Sequence, residues 1–178
     1  MFGPVLRGSL VTLRPPDESD PARFVEWFSD TEATRYLAKR FGMALFQEED
    51  FFKRMGESKN DVLWMIEAEG RPIGNTAIHR IDWVNANAIT GTFIGDKTAW
   101  RKGYGGESMR LRTEYAFLQL NLNKLSSGAI LENEPSRRSL LRAGYREVGT
   151  EHEHSFREGR WRDHWLCEVL RSDWEKAR

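Results

Sequence analysis

Along the chain, short runs in which apolar and polar residues alternate give way to stretches with a helical apolar period, and each switch marks a new element. Leu10-Val11-Thr12-Leu13-Arg14 reads as a first strand, stopped by Pro15-Pro16. Asp20 before Pro21 opens a helix whose Phe24, Trp27 and Phe28 form one apolar stripe. Helical character continues over residues 31–37 and 47–55, with a Gly42-bearing loop between them. From Asp61 the period becomes two. Residues 62–69, the turn Gly70-Arg71-Pro72 and residues 73–83 predict a hairpin, and residues 88–94 return as a strand after the turn Val84-Asn85-Ala86-Asn87. Residues 105–120 form the longest predicted helix, with Leu111, Tyr115 and Leu118 as its buried face, widened by Met109 and Phe117. Residues 124–131 predict a strand. Residues 135–143 form a short helix with Pro135 in its first turn and Gly144 just past its end. Residues 145–156 and 161–170 close the chain as a hairpin. This order predicts an α+β fold, a mixed and mostly antiparallel central sheet of about seven strands flanked by helices.

A chain of 178 residues without repeats or low-complexity linkers is expected to form a single domain over 1–178. Lysine plus arginine and aspartate plus glutamate balance at 27 each, which removes bulk attraction to nucleic acid or to an anionic membrane as a function. The single cysteine, Cys167, excludes an internal disulfide and a cysteine-rich zinc site, and its alternating surroundings mark it as a packed strand residue. The N-terminus lacks a long apolar segment and no window approaches a membrane span, so a cytoplasmic protein is expected.

The candidate chemistry begins at Trp100-Arg101-Lys102-Gly103-Tyr104-Gly105-Gly106. Glycines give an anion close access to backbone N–H groups, and the start of a helix adds a favourable dipole. With Arg101 and Lys102 in the same turn, a pyrophosphate is the fitting ligand, although glycine and charge alone equally describe a solvated turn. The pattern is neither a dinucleotide-binding turn, because Ser108 stands at the third glycine position, nor a P-loop, because Glu107 and Ser108 follow Gly106.

This turn and its neighbours, Gly91-Thr92-Phe93-Ile94, Tyr115-Ala116-Phe117, Asn133-Glu134-Pro135-Ser136 and Arg142-Ala143-Gly144-Tyr145, resemble the GNAT superfamily of acyl-CoA-dependent N-acyltransferases. The likeness spans nearly the whole chain and is nearest to the RimJ/RimL-type branch, which acetylates ribosomal-protein N-termini. It implies a splay between the fourth and fifth predicted strands, residues 88–94 and 124–131, with the pantetheine arm of acetyl-CoA in the gap. Backbone groups of Phe93 and Ile94 are then expected to pair with the pantetheine, and Ile94 to supply an oxyanion donor. The amides of Arg101, Lys102, Gly103, Tyr104, Gly105 and Gly106 would hold the pyrophosphate. Asn133 is either a pantetheine partner or a local helix cap. Trp100 departs from the Gln or Arg common at its position and is read as a packing residue.

Direct transfer requires a neutral amine, an oxyanion donor and a proton for the leaving thiolate. A lysine-like amine is neutral about once in 2,500 at pH 7 and an α-amine about once in five to ten, so an α-amine needs only a weak base. Leu140 stands where many members carry a tyrosine acid. The resemblance assigns the acid to Ser136, also readable as an ordinary first-turn helix residue, and places Ser155 where the branch has a glutamate. By strand alternation Glu151 and Glu153 share the face of Ser155, and Glu153 is the nearer candidate base through water. His152 and His154 face the other way and lack a third metal ligand. His79 and Trp83 either line the acceptor pocket or pack, and Trp27, Phe28 and Tyr36 wall the acceptor side. The expected activity is acetyl-CoA-dependent N-acetylation without metal or covalent enzyme intermediate, by a monomer or homodimer. The acceptor is a primary amine, with a ribosomal or other protein or peptide N-terminus preferred. Two rivals stay open: a small-amine acetyltransferase for polyamines, amino acids or antibiotics, whose acidic pocket Gln47-Glu48-Glu49-Asp50 would supply, and a non-catalytic acyl-CoA-binding domain.

Overall fold

A computed structural model describes all residues, Met1–Arg178. Its strands are β1 (Leu6–Arg7), β2 (Thr12–Arg14), β3 (Val62–Ala68), β4 (Arg71–Asp82), β5 (Asn87–Ile94), β6 (Lys124–Ile130), β7 (Arg146–Arg157) and β8 (Arg160–Leu170). They form one eight-stranded sheet in the order β1-β2-β3-β4-β5-β6-β8-β7. Every neighbouring pair is antiparallel except β5 and β6. The helices are α1 (Asp20–Ser29), α2 (Thr31–Thr34), α3 (Leu45–Glu57), α4 (Tyr104–Leu118), α5 (Glu134–Arg142) and α6 (Arg171–Ala177).

Alternation along β3 divides the core. Trp64 and Ile66 join Met109, Leu111 and Phe117 of α4, Leu140 of α5 and Trp165 of β8 in one cluster. Leu63 and Met65, pointing the other way, join Phe24 and Trp27 of α1, Phe52 and Met55 of α3, and Phe93 of β5. The sheet therefore has α4 and α5 on one face and α1 and α3 on the other.

The expected α+β architecture holds, with two additions. β1 pairs through only two residues, too few to show a period. α6 follows β8 directly, and its Trp174 ring lies 5.4 Å from that of Phe117. The α4 face is also turned from the expected one. Leu118 is 42% exposed, whereas Arg112 is wholly buried.

The alternation read along residues 151–155 fails. Glu151 pairs with His164 and Ser155 with Arg162, so three residues of β7 span the single Asp163. Within this bulge Glu153 takes a left-handed φ of 50°. Its N–H bonds Asp163 at 2.9 Å, and His152 Nδ1 lies 3.0 Å from the other oxygen of that carboxylate.

Candidate active site

β5 and β6 pair at only three positions, Asn87↔Lys124, Ala88↔Leu125 and Ile89↔Ser126. One residue further, side chains take over: Thr90 Oγ1 donates to the Ser126 carbonyl at 3.3 Å and Ser127 Oγ to the Thr90 carbonyl at 3.0 Å. Beyond them no β6 backbone meets β5, leaving an unpaired strand edge lined with polar groups. Gly95 N–H bonds across to the Ile73 carbonyl of β4 at 2.9 Å, so by antiparallel alternation Thr92 and Ile94 turn their N–H groups toward the gap. Ile94 keeps the place expected of it. Phe93 does not: its carbonyl oxygen faces β4, so close to Gly74 that a Cβ there would lie 2.0 Å away. The Phe93 ring instead joins the α1 side, stacked on Phe28 at 5.5 Å. Thr92, not foreseen from sequence, turns its N–H to the gap instead.

At the end of the gap the chain turns through left-handed Arg101 (φ 63°) and Gly103 (φ 87°) into α4. No side chain caps this helix, so the first-turn amides of Tyr104, Gly105 and Gly106 have no intrahelical acceptor. Cβ atoms on Gly105 and Gly106 would meet nothing closer than 3.6 Å, so these glycines serve backbone access rather than packing. Arg101 is exposed and unpaired. Lys102 reaches Glu69 at 3.3 Å, and the Tyr104 hydroxyl donates to the same carboxylate oxygen at 2.6 Å. Tyr104 thus offers only its amide. Trp100 donates its indole N–H to the Ile94 carbonyl at 2.9 Å, bracing the strand end.

At the neighbouring α5 turn, the Asn133 side chain accepts from Ser136 N–H at 3.3 Å, acting as the helix cap. The Ser136 hydroxyl is half-buried without a hydrogen bond, and Leu140 is 1% exposed in the core. Cys167 is also buried, and desolvation pushes its thiol up to about 12, far from a nucleophile's range.

The model of the family described as acetyltransferase (GNAT) domain matches residues 11–146. The chain belongs to the GNAT acetyltransferase family. It is an acyltransferase with acetyl-CoA as co-substrate. The uncharacterized N-acetyltransferase p20 of Bacillus licheniformis is 24% identical over 169 residues, 92% of this chain and 94% of its own. The spermidine N-acetyltransferase of Vibrio cholerae, solved with CoA and spermine, has a TM-score of 0.87 at 20% identity, covering 94% of this chain and 99% of that one. RimJ of Mycobacterium smegmatis, solved with CoA-disulfide, has a TM-score of 0.81 at 20% identity, covering 92% and 83% respectively. No helix of the enzyme is long and apolar enough to cross a membrane. The uncapped α4 amides and the unpaired edge of β5 fit the two polar parts of acetyl-CoA, its diphosphate and its pantetheine amides. The co-substrate supplies the activated thioester.

On the β7–β8 side of the sheet the bulge rearranges the candidate bases. Glu151, not Glu153, is gathered into a cluster, its Oε2 lying 3.0 Å from His154 Nδ1 and 3.5 Å from His164 Nδ1. His154 and His164 stack at 4.8 Å. These three side chains are also the one group whose spacing would let them share a metal ion. The His164 ring lies over Gly128 of β6, where a Cβ would come within 2.9 Å of it. That places it on the face opposite Trp165, one strand from the gap. The Glu153 side chain stays exposed and free of hydrogen bonds.

A cavity of about 200 Å³ opens where Ile130 ends β6. Arg35, Arg157, Arg160 and Arg162 line it against two carboxylates, Glu132 and Glu158, with Tyr36 as the aromatic wall. Arg162 pairs with Glu132 at 2.6 Å and with Glu158 at 3.1 Å, and Glu158 also meets Arg35 at 3.3 Å, so these two carboxylates are shared among the arginines. Arg157 bonds the Leu37 carbonyl and no carboxylate, and burial and the charge of Arg40 hold its pKa below the usual arginine range. The acidic run after Gln47 does not line this cavity. Glu48 is buried against Lys39 at 2.6 Å, and Asp50 faces Arg54 at 3.3 Å along α3. Nor do His79 and Trp83 line this cavity: His79 meets Asp61 at 3.1 Å, and the Trp83 indole donates to the Lys59 carbonyl at 3.1 Å.

Proposed function

We propose that the enzyme acetylates the α-amino group of a peptide or protein whose N-terminal residues carry carboxylates, a chemistry akin to that of the RimJ/RimL-type branch. The cation-lined cavity is the observation that carries this reading. Four arginines outnumber two carboxylates in this lining, and Arg157 and Arg160 have no ion-pair partner, so a polyamine would meet an excess of positive charge to which an acidic peptide would be drawn. The whole chain acts as one domain in this scheme. Amides of residues 101–106 hold the diphosphate, Thr92 and Ile94 face the pantetheine and acyl group, and Asn133 sets the α5 turn. Ser136 donates the proton to the departing sulfur. His164, backed by Glu151, takes the proton from the amine in preference to Glu153, because the bulge leaves Glu153 outside the cluster. An imidazole is a sufficient base for an α-amine, which is already partly neutral at pH 7.

Thiol release from acetyl-CoA should be compared across peptides with acidic or basic second and third residues, their N-blocked forms, and spermine. Acidic free-N-terminus peptides are expected to lead the basic ones by about tenfold in kcat/KM at low salt, with the margin narrowing as salt rises. Equal rates would remove the anionic preference. Turnover of spermine with none of the peptides would remove the α-amine assignment altogether. Ser136→Ala is expected to lower kcat by about tenfold with the acetyl-CoA Kd unchanged, a modest effect because a thiol leaves readily near neutral pH. An unaltered kcat would return Ser136 to a purely helical role.

A further inference from the structure

Three charged side chains are wholly buried, and two of them have a counter-ion: Asp20 meets Arg14 at 2.8 Å and Glu48 meets Lys39 at 2.6 Å. The third, Arg112 of α4, has none. Its Nη1 donates to Thr76 Oγ1 at 2.8 Å, the Gly91 carbonyl at 2.9 Å and Thr92 Oγ1 at 2.9 Å. Its Nη2 donates to the Tyr145 hydroxyl at 3.3 Å, and Nε has no partner. Every acceptor is neutral. Neutral hydrogen bonds offset only part of the desolvation of a guanidinium, and an apolar side chain of similar length would fill this helix–sheet interface at less cost. Packing therefore does not explain the arginine.

Its position does. Arg112 reaches β5 at Gly91 and Thr92, just past Thr90, where the last contacts with β6 end. The Gly91 carbonyl and the Thr92 N–H belong to one peptide unit. The guanidinium holds the carbonyl end, and the N–H end faces the gap. A charge-assisted bond to a peptide oxygen polarises that unit and makes its N–H a stronger donor. Tyr145, whose hydroxyl also bonds Thr90 Oγ1 at 3.0 Å, fixes the second arm of the guanidinium from the side of α5. In acyl transfer the amine nitrogen adds to the acyl carbon while the C=O electron pair moves onto oxygen. Return of that pair expels the sulfur as thiolate, and the amine proton passes to the base. Only between those two events does the oxygen carry charge, which is when a strengthened donor matters.

We propose that Arg112 is a positioning residue for acyl transfer: its buried, uncompensated charge polarises the Gly91–Thr92 peptide so that the Thr92 N–H stabilises the charge building on the acyl oxygen. The inference rests on acetyl transfer at the gap and is independent of which amine is the acceptor.

The test compares wild type with Arg112→Leu and Arg112→Lys, using acetyl-CoA and whichever amine gives turnover. Arg112→Leu is expected to keep or raise the melting temperature, hold the acetyl-CoA Kd within about threefold, and lower kcat by about 10- to 100-fold. Arg112→Lys, which keeps the charge, is expected to recover part of that loss. Infrared difference spectra of bound acetyl-CoA with a carbon-13 acyl group read the same effect without any acceptor. The carbonyl band is expected at lower wavenumber in wild type than in Arg112→Leu. The proposal is overturned if Arg112→Leu retains its kcat, if its band coincides with that of wild type, or if kcat falls only in step with a drop in melting temperature that Arg112→Lys shares. Absence of turnover with every peptide would count against the acceptor assignment and leave the infrared comparison to decide on Arg112.

Discussion

Glu107→Ala is expected to lower the melting temperature by roughly 6–12 °C, corresponding to about 3 kcal/mol in a chain of this size. Glu107 lies in the first turn of α4, and its carboxylate accepts from Ser9 N–H at 2.9 Å, Ser9 Oγ at 2.7 Å, Leu10 N–H at 2.7 Å and Val11 N–H at 2.8 Å. One side chain thus ties the segment entering β2 to the α4 turn proposed to hold the diphosphate. A methyl group removes the acceptor from all of these donors, and the Val11 N–H, on a residue only 3% exposed, is the one that water reaches least. Burial alone would raise the Glu107 pKa, but the bonds from Ser9, Leu10 and Val11 outweigh it and hold the carboxyl below its ordinary 4.5. The folded value being the lower one, the stabilisation is complete above that ordinary value and disappears as pH falls through the folded one. Thermal unfolding of wild type and Glu107→Gln at pH 7 and near pH 3 checks this. The gap between them should be wide at pH 7 and small in acid, and a gap independent of pH would mean the carboxylate charge is not what holds the strap. Because Leu10 Cδ1 lies 3.5 Å from where a Cβ on Gly103 would stand, loosening the strap is also expected to raise KM for acetyl-CoA.

Gly106→Asp should separate folding from co-substrate binding even more sharply. An acidic residue in the first turn of a helix suits the dipole, and the site is open, the nearest atom to a new Cβ being Ser139 Oγ at 4.0 Å. The variant should therefore fold with a melting temperature close to that of wild type. It nevertheless puts a negative charge among the amides proposed to hold the diphosphate. A like charge a few ångströms away at the protein surface is worth about 3 kcal/mol, so the acetyl-CoA Kd is expected to rise by about 100-fold. Isothermal titration with acetyl-CoA is the direct measurement. Undiminished affinity would place the diphosphate somewhere other than the α4 turn.

Much of the enzyme was legible in its residues. The apolar period of two from Val62 onward and the stripe of Phe24, Trp27 and Phe28 located strands and helices, because such periods are imposed locally by which side of an element is buried. The glycines at 103, 105 and 106 pointed to an anion-binding helix start for an equally local reason: backbone access needs no distant partner. Asn133, Ser136 and Leu140 could likewise be placed on one short helix. Other features depend on residues far apart in sequence. Glu151 and Glu153 were assigned one face by simple alternation, and a bulge over Asp163 broke it. The bulge is a property of the β7–β8 pairing, invisible in either strand alone, and it decides that Glu151 meets His154 and His164. Arg112 reads as one more polar position on α4. Only the packing of α4 against β4, β5 and Tyr145 buries it and removes any counter-ion.

By itself the sequence determined the order of elements, the family and the glycine turn that opens α4, since each is set by residues near one another in the chain. The tertiary structure alone decided the charge of the cavity at the end of β6, where Arg35 of the segment after α2 meets Arg157, Arg160 and Arg162 of the last hairpin, and the fate of every buried charge. Electrostatic environment is a sum over neighbours in space, and the folded chain chooses those neighbours without regard to their distance in sequence.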